Sequence, residues 1–98
     1  MAITSFTIFA HGDSAQEAFD RATDAGLSSS LLEERAILDK PGFAELAAPA
    51  GMNQLRFAER LLEENDPRIS GKRSPAGCVE IGYDDHTDAR WFIFFGRV

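Results

Sequence analysis

The chain has 98 residues, of which 44% are hydrophobic, and its 16 acidic and 10 basic side chains give a net charge of −6. This length and apolar content predict a single compact domain over residues 1–98 that buries its own core. The one cysteine, Cys78, excludes an internal disulfide and a cysteine-built zinc site. The acidic balance argues against direct nucleic-acid binding, because affinity for phosphates comes chiefly from clustered lysines and arginines.

The sequence also predicts a cytoplasmic protein that does not associate with a membrane. Its first residues lack the basic segment and the apolar run of a signal peptide. No stretch approaches the roughly 20 apolar residues that a membrane-spanning helix needs. A lone cysteine is what a reducing compartment tolerates.

The first quarter of the chain predicts a strand followed by a helix. Alternating apolar residues indicate a half-buried strand over residues 3–10. Ser14 and Glu17 then have the spacing of a capping box, in which each side chain accepts a hydrogen bond from a backbone amide of the first turn. Gly26 stands where a glycine ends many helices, so the helix is predicted over residues 15–25.

The middle of the chain allows two local structures. Pro41 and Gly42 occupy the two central positions of a type II turn, which favours a hairpin of short strands over residues 35–39 and 43–46. A short helical turn over residues 31–34 is the other element that the sequence allows, because a serine and a glutamate again have capping-box spacing there.

The last third predicts a second helix and a hairpin. An apolar stripe of helical period covers residues 53–64, and Pro67 confirms the end of that helix. Strict alternation over residues 78–83, a polar turn and an aromatic run over residues 89–96 then predict two paired strands.

The final strand determines the predicted architecture. Trp91 faces one side and Phe92 and Phe94 face the other, so both faces of the strand are apolar. The element order β-α-β-β-α-β-β predicts an α+β two-layer sandwich, with an antiparallel-rich sheet of about four to five strands and both helices on one face. The second face would then need another cover, either a partner protein or a second copy of the chain in a homodimer.

No residue pattern predicts a catalytic or metal-binding site. His11, His86 and Cys78 supply groups for nucleophilic catalysis, but their spacing matches no catalytic arrangement. The polar turn over residues 84–88 holds three aspartates and a histidine, yet it matches neither a calcium loop nor a zinc-ligand spacing. We therefore expect no enzyme activity, no cofactor and no metal.

Acidic side chains form the sharpest surface feature. Four of them recur at helical spacing along the outer side of the first helix: Asp13, Glu17, Asp20 and Asp24. Because acids near a helix N-terminus are stabilised by the helix dipole, an ordinary polar face is one interpretation. Compensating bases are scarce, with Arg21 alone nearby, which favours a second interpretation. In the second interpretation, these four acids and two acids of the second helix, Glu59 and Glu63, bind a basic partner.

Basic residues cluster in one loop. Arg68, Lys72 and Arg73 lie between the second helix and the last hairpin. Such a loop is either solvated or a secondary contact for a partner. The secondary interface predicted from the sequence combines this loop with three aromatic residues of the last strand, Trp91, Phe92 and Phe94.

Three short stretches of the sequence resemble stretches of known proteins. Residues 10–22 read AHGDSAQEAFDRA after the first strand, residues 75–80 read PAGCVE, and residues 91–96 read WFIFFG. In these stretches the chain resembles small uncharacterised proteins of phages, prophages and other mobile elements. The resemblance implies a mobile-element context and no catalytic residue. Small acidic α+β proteins in that context include anti-CRISPR proteins and other inhibitors of host defence.

Charge pattern and resemblance together predict a non-catalytic interaction protein of phage or mobile-element origin. It would bind and inhibit a basic, nucleic-acid-handling host protein, with its acidic stripe imitating a phosphate backbone. Two other classes stay open. One is a small-ligand-binding or enzymatic domain that uses His11 and the loop over residues 68–73, and the other is a structural or assembly subunit.

Overall fold

The computed structural model describes residues 5–69, 71, 73–86 and 88–97. In chain order the elements are β1 (Ser5–Gly12), α1 (Ala15–Ser28), α2 (Leu32–Arg35), a 3-10 turn (Ala36–Asp39), β2 (Phe43–Glu45), α3 (Gln54–Glu63), β3 (Ala76–Asp84) and β4 (Ala89–Arg97). None of the helices in these ranges is long and apolar enough to cross a membrane.

The four strands of the described part form one mixed sheet in the order β1-β4-β3-β2. β4 pairs antiparallel with both β1 and β3, while the short β2 runs parallel to β3. An antiparallel pair can be joined by a tight turn, whereas a parallel pair needs a crossover, and α3 supplies it between β2 and β3. The predicted α+β class and the antiparallel-rich sheet are confirmed.

α1 covers one face of the sheet. Ala15, Ala18 and Ala22 are buried, and these small side chains let the helix lie close to the strands. Phe19 is buried beside them, with its ring centroid 5.5 Å from that of Phe94 on β4. The strands contribute the rest of this core from the same face: Phe6, Ala10, Ala76, Cys78, Phe92 and Phe94.

α3 covers the opposite face, so the predicted placement of both helices on one face is wrong. Ile93 and Phe95 alternate with Phe92 and Phe94 along β4, and they are fully buried in a second core with Leu61 of α3. A helix that crosses between parallel strands lies over a face of the sheet, and here α1 occupies the other one. The fold therefore has three layers, α1, the sheet and α3, instead of the two layers predicted.

The predicted hairpin in the middle of the chain is half wrong. Residues 43–46 include β2 as predicted, but residues 35–39 end α2 and form the 3-10 turn. Burial explains the difference: the neighbours Ala36 and Ile37 are both buried in the α1-side core, whereas a strand would point them to opposite faces. Gly42 is not among the described residues with positive φ, which a type II turn requires at this position.

Gly26 lies inside α1 and not after it, because the helix continues to Ser28. A β-carbon on Gly26 would stand 2.7 Å from the carbonyl oxygen of Glu34, closer than real contacts allow. The glycine is therefore needed for a close backbone approach, and it does not end the helix. This approach fixes the corner between α1 and α2.

Candidate partner-binding surface

Ser14 begins α1 and thereby sets which side chains face outward. Its hydroxyl accepts a hydrogen bond from the Glu17 amide at 3.2 Å, as the capping-box spacing predicts. The Glu17 carboxylate pairs with Arg21 and so does not complete the box. Because the alanine stripe of α1 faces the sheet, the acidic positions between its members face solvent.

Three of the four predicted acids, one just before α1 and two within it, are exposed. Asp13, Asp20 and Asp24 are exposed, and within the described residues none of them forms a salt bridge. Glu17 is half-buried and lies 2.9 Å from the Arg21 guanidinium. We call Asp13, Glu17, Asp20 and Asp24 the acidic stripe.

The negative charge of the molecule is concentrated in this region. Residues 13–39 hold seven acidic and two basic side chains, a net charge of −5, against −6 for the whole chain. These residues build α1, α2 and the 3-10 turn, which follow one another without a long loop. A field of this kind attracts a basic surface and is screened over about 8–10 Å at ordinary ionic strength.

Two cations hold the beginning of the acidic stripe against the sheet. Arg90 of β4 donates a hydrogen bond from Nη1 to the backbone carbonyl of Asp13 at 3.2 Å. Arg21 Nη1 lies 3.1 Å from His11 Nε2, and the His11 ring lies 4.7 Å from the ring of Trp91. The Asp13 carboxylate itself remains exposed, so the loop is positioned without neutralising that acid.

Glu59 and Glu63 do not join the acidic stripe. They are exposed on α3, which lies on the opposite face of the sheet from α1. Both line a cleft of about 250 Å³ with Arg56 and Arg60, and Arg60 pairs with Glu64 at 2.9 Å. The α3 surface is therefore close to charge balance, and one flat partner surface would not contact both helices.

The basic loop is partly neutralised from within. Arg68 donates from Nη2 to Asp66 Oδ2 at 2.8 Å and from Nε to Oδ1 at 2.9 Å. These hydrogen bonds lower the pKa of Asp66 to about 2. Arg73 is exposed, and Lys72 lies outside the described residues. The charge of Arg68 is thus balanced by the neighbouring carboxylate of Asp66.

The aromatic part of the predicted secondary interface is wrong for two of its three residues. Phe92 and Phe94 are 2% and 0% exposed, so neither can touch a partner of the folded protein. Trp91 is partly exposed beside His11. α3 covers Ile93 and Phe95 on the second face, whereas Phe9, paired with Ile93, is 51% exposed. The homodimer through the sheet face stays a prediction.

Sequence reasoning missed an apolar patch at the end of the acidic stripe. Leu27, Leu31 and Leu32, the leucine patch, are 67%, 62% and 56% exposed. The signal was present, since Leu27 follows Asp20 by seven residues and Asp24 by three, which places all three on one side of a helix. With the helix predicted to end at residue 25, Leu27 fell into a loop and this alignment was lost.

The alternative ligand cleft is not assembled. His11 pairs with Trp91 near the start of β4, whereas the amide of Arg97 at its end lies 3.5 Å from the carbonyl oxygen of Ile69 in the basic loop. Six residues of strand span roughly 20 Å. His11 and Ile69 therefore lie at opposite ends of the sheet.

The remaining reactive groups do not gather either. Burial raises the pKa of the Cys78 thiol to about 12, with smaller contributions from the carboxylates of Glu45 and Glu80. A thiol of this pKa is a poor nucleophile near neutral pH. Across the described ranges, no three histidine, cysteine, aspartate or glutamate side chains come together in a way that could hold a metal ion.

No match was found among protein-family models, curated proteins or solved structures. The function of the chain is therefore inferred from the charges, contacts and exposed surfaces described above.

Proposed function

We propose that the protein is a non-catalytic interaction protein that binds a basic, nucleic-acid-handling protein through the acidic stripe of α1. The observation that supports this most is the row of exposed carboxylates at Asp13, Asp20 and Asp24, in a segment with a net charge of −5. Successive helical turns rise about 5.4 Å, which is of the order of the phosphate spacing along a nucleic-acid strand. The stripe can thus occupy a groove lined by lysine and arginine.

Binding of this kind inhibits the partner by competition. A groove filled by α1 is closed to the nucleic acid that it normally holds, so the protein acts as an inhibitor and needs no chemistry of its own. The resemblance to mobile-element proteins favours a phage-encoded inhibitor of host defence, of the anti-CRISPR kind, in the host cytoplasm.

The test compares two variants with equal loss of formal charge. Asp20→Asn and Asp24→Asn together remove two charges from α1, and Glu59→Gln with Glu63→Gln removes two from α3 as the control. Each protein is immobilised, exposed to host lysate, and the retained proteins are identified by mass spectrometry. We expect a nucleic-acid-binding protein to be retained by the wild type and the α3 variant and lost by the α1 variant.

Two further readouts make the assignment specific. Binding of the purified partner should weaken steeply with salt, because exposed charges are screened. A DNA or RNA oligonucleotide should compete with the protein for the partner. Equal affinity and salt dependence of the α1 variant and the wild type, or the absence of competition by any oligonucleotide, would overturn the proposal.

A further inference from the structure

We infer that the leucine patch extends the acidic stripe into one docking surface, which binds an amphipathic basic segment of the partner with an apolar end. This inference rests on the proposed function, since it concerns the same side of α1. The inference adds a requirement beyond charge complementarity. The partner segment must carry large apolar side chains beyond its last basic turn.

Leu27 lies in line with the acidic stripe along α1. Glu17, Asp20, Asp24 and Leu27 are separated by three, four and three residues, the spacing at which side chains share one side of a helix. From Glu17 to Leu27 the helix rises about 15 Å. Leu31 and Leu32 follow at the corner where α1 gives way to α2. A partner helix of about ten residues would cover the row.

Hydrogen bonds hold the corner between α1 and α2 that carries Leu31 and Leu32. Ser29 Oγ donates to Glu34 Oε2 at 2.7 Å and accepts from the Leu31 amide at 3.0 Å. Arg35 Nη1 donates to the Ser29 carbonyl at 3.2 Å, and the missing side chain of Gly26 lets the Glu34 carbonyl approach α1. The segment is thus pre-organised, which reduces the entropy lost on binding.

Exposure on this scale indicates an interface. Single exposed apolar residues are common on protein surfaces and need no explanation. Three leucines lie within six residues of the chain, and each is more than half exposed. Groups of exposed apolar side chains with a polar border mark interaction sites.

Charge selects the occupant. Residues 13–39 carry a net charge of −5, so a second copy meeting the same patch would bring two strongly negative surfaces together, and an anionic membrane would be repelled in the same way. A cationic amphipathic segment satisfies both parts of the surface, with its basic residues opposite the acidic stripe and its apolar residues on the leucine patch.

The test uses two synthetic helical peptides of 18 residues. Both peptides carry the same lysines along one side. At its first and last turns one peptide has leucines, and the second peptide has serines at the same positions. Binding is measured by calorimetry to the wild type, to a Leu27→Ser, Leu31→Ser, Leu32→Ser variant of unchanged charge, and to a Leu55→Ser variant. Leu55 is 37% exposed on α3. Thermal unfolding of each variant tests whether it is folded.

The wild type and Leu55→Ser should bind the leucine peptide at least tenfold more tightly than the serine peptide, as burial of one leucine predicts. The triple leucine variant should lose this preference while keeping the salt-dependent binding common to both peptides. No preference in the wild type, an unchanged preference in the triple variant, or a wild-type dimer that the triple variant abolishes would overturn the inference. The Asp→Asn variant tests the proposed function separately, because it lowers the salt-dependent component for both peptides.

Discussion

The ring of Phe95 lies directly over Gly77 on the neighbouring strand, and a β-carbon on Gly77 would stand 2.5 Å from the ring. Both residues are buried on the α3 side of the sheet, where Phe95 is 0% exposed. Because the ring is enclosed, it cannot move aside for a methyl group. We expect Gly77→Ala to lower the free energy of unfolding by about 1–3 kcal/mol, measured by urea denaturation.

Gly42→Ala is the matched control for this substitution. No heavy atom lies within 4 Å of the position that its β-carbon would take, so its unfolding free energy should change by less than about 0.5 kcal/mol. Equal losses at the two glycines would mean that the contact with Phe95 does not determine the cost.

The second core predicts that α3 contributes substantially to stability. Leu61 is 5% exposed and packs in the core with Ile93 and Phe95, so Leu61→Ala should cost about 2–5 kcal/mol of unfolding free energy. Leu55→Ala, on the same helix but 37% exposed, should cost much less. If both substitutions had the same small effect, α3 would not cover the sheet in solution.

The buried thiol of Cys78 predicts a stability change at alkaline pH. Its pKa is about 12 in the folded protein against a reference value of 9.0, so the unfolded chain loses the proton first as the pH rises. Stability from this group is therefore complete below pH 9 and decreases between pH 9 and 12. The difference in unfolding free energy between the wild type and Cys78→Ala should shift against the wild type over that interval.

Thiol reactivity gives an independent measurement on Cys78. At pH 8 the buried thiol stays protonated in the folded state, so labelling by a maleimide should be very slow. In denaturant the same thiol should label within minutes. Fast labelling of the native protein would contradict the burial of this side chain.

The pair of Asp66 and Arg68 predicts a measurable carboxyl titration. Its hydrogen bonds hold the pKa of Asp66 at about 2, below the ordinary 3.8, so the pair stabilises the fold above pH 3.8 and is lost as the pH falls through 2. In Arg68→Met the pKa of Asp66, followed by NMR of the carboxyl carbon, should rise toward 3.8. Arg73→Met should leave it unchanged, and a rise in that control would indicate a general effect of loop charge.

The sequence predicted the elements whose periodicity is long and regular. α1, α3, β3 and β4 lie within three residues of their predicted bounds, because caps and alternation act locally. Residues 35–39 were predicted as a strand because the Pro41 and Gly42 pattern was given more weight than packing. The burial of Ala36 and Ile37 against α1 is a tertiary effect that no local pattern contains.

The positions of the helices relative to the sheet were not predictable in the same way. The alternation in β4 showed that both faces need cover, but it did not say which element covers each. That depends on β2 pairing parallel with β3. The strand was predicted over residues 43–46, but as part of a hairpin and not as the parallel neighbour of β3. For the same reason the acids of α1 were predicted to act with Glu59 and Glu63, although a sheet separates them.

The location of α1 and α3 on opposite faces also determines how the protein should be handled at a solid surface. A linker or fluorophore attached through α3, for example at a cysteine introduced for Glu63, would hold the molecule by its charge-balanced side and leave the acidic stripe and the leucine patch facing the solution. Attachment near Asp20 would bury both. A biosensor chip should therefore detect partner binding to protein attached through α3 and no binding to protein attached near Asp20.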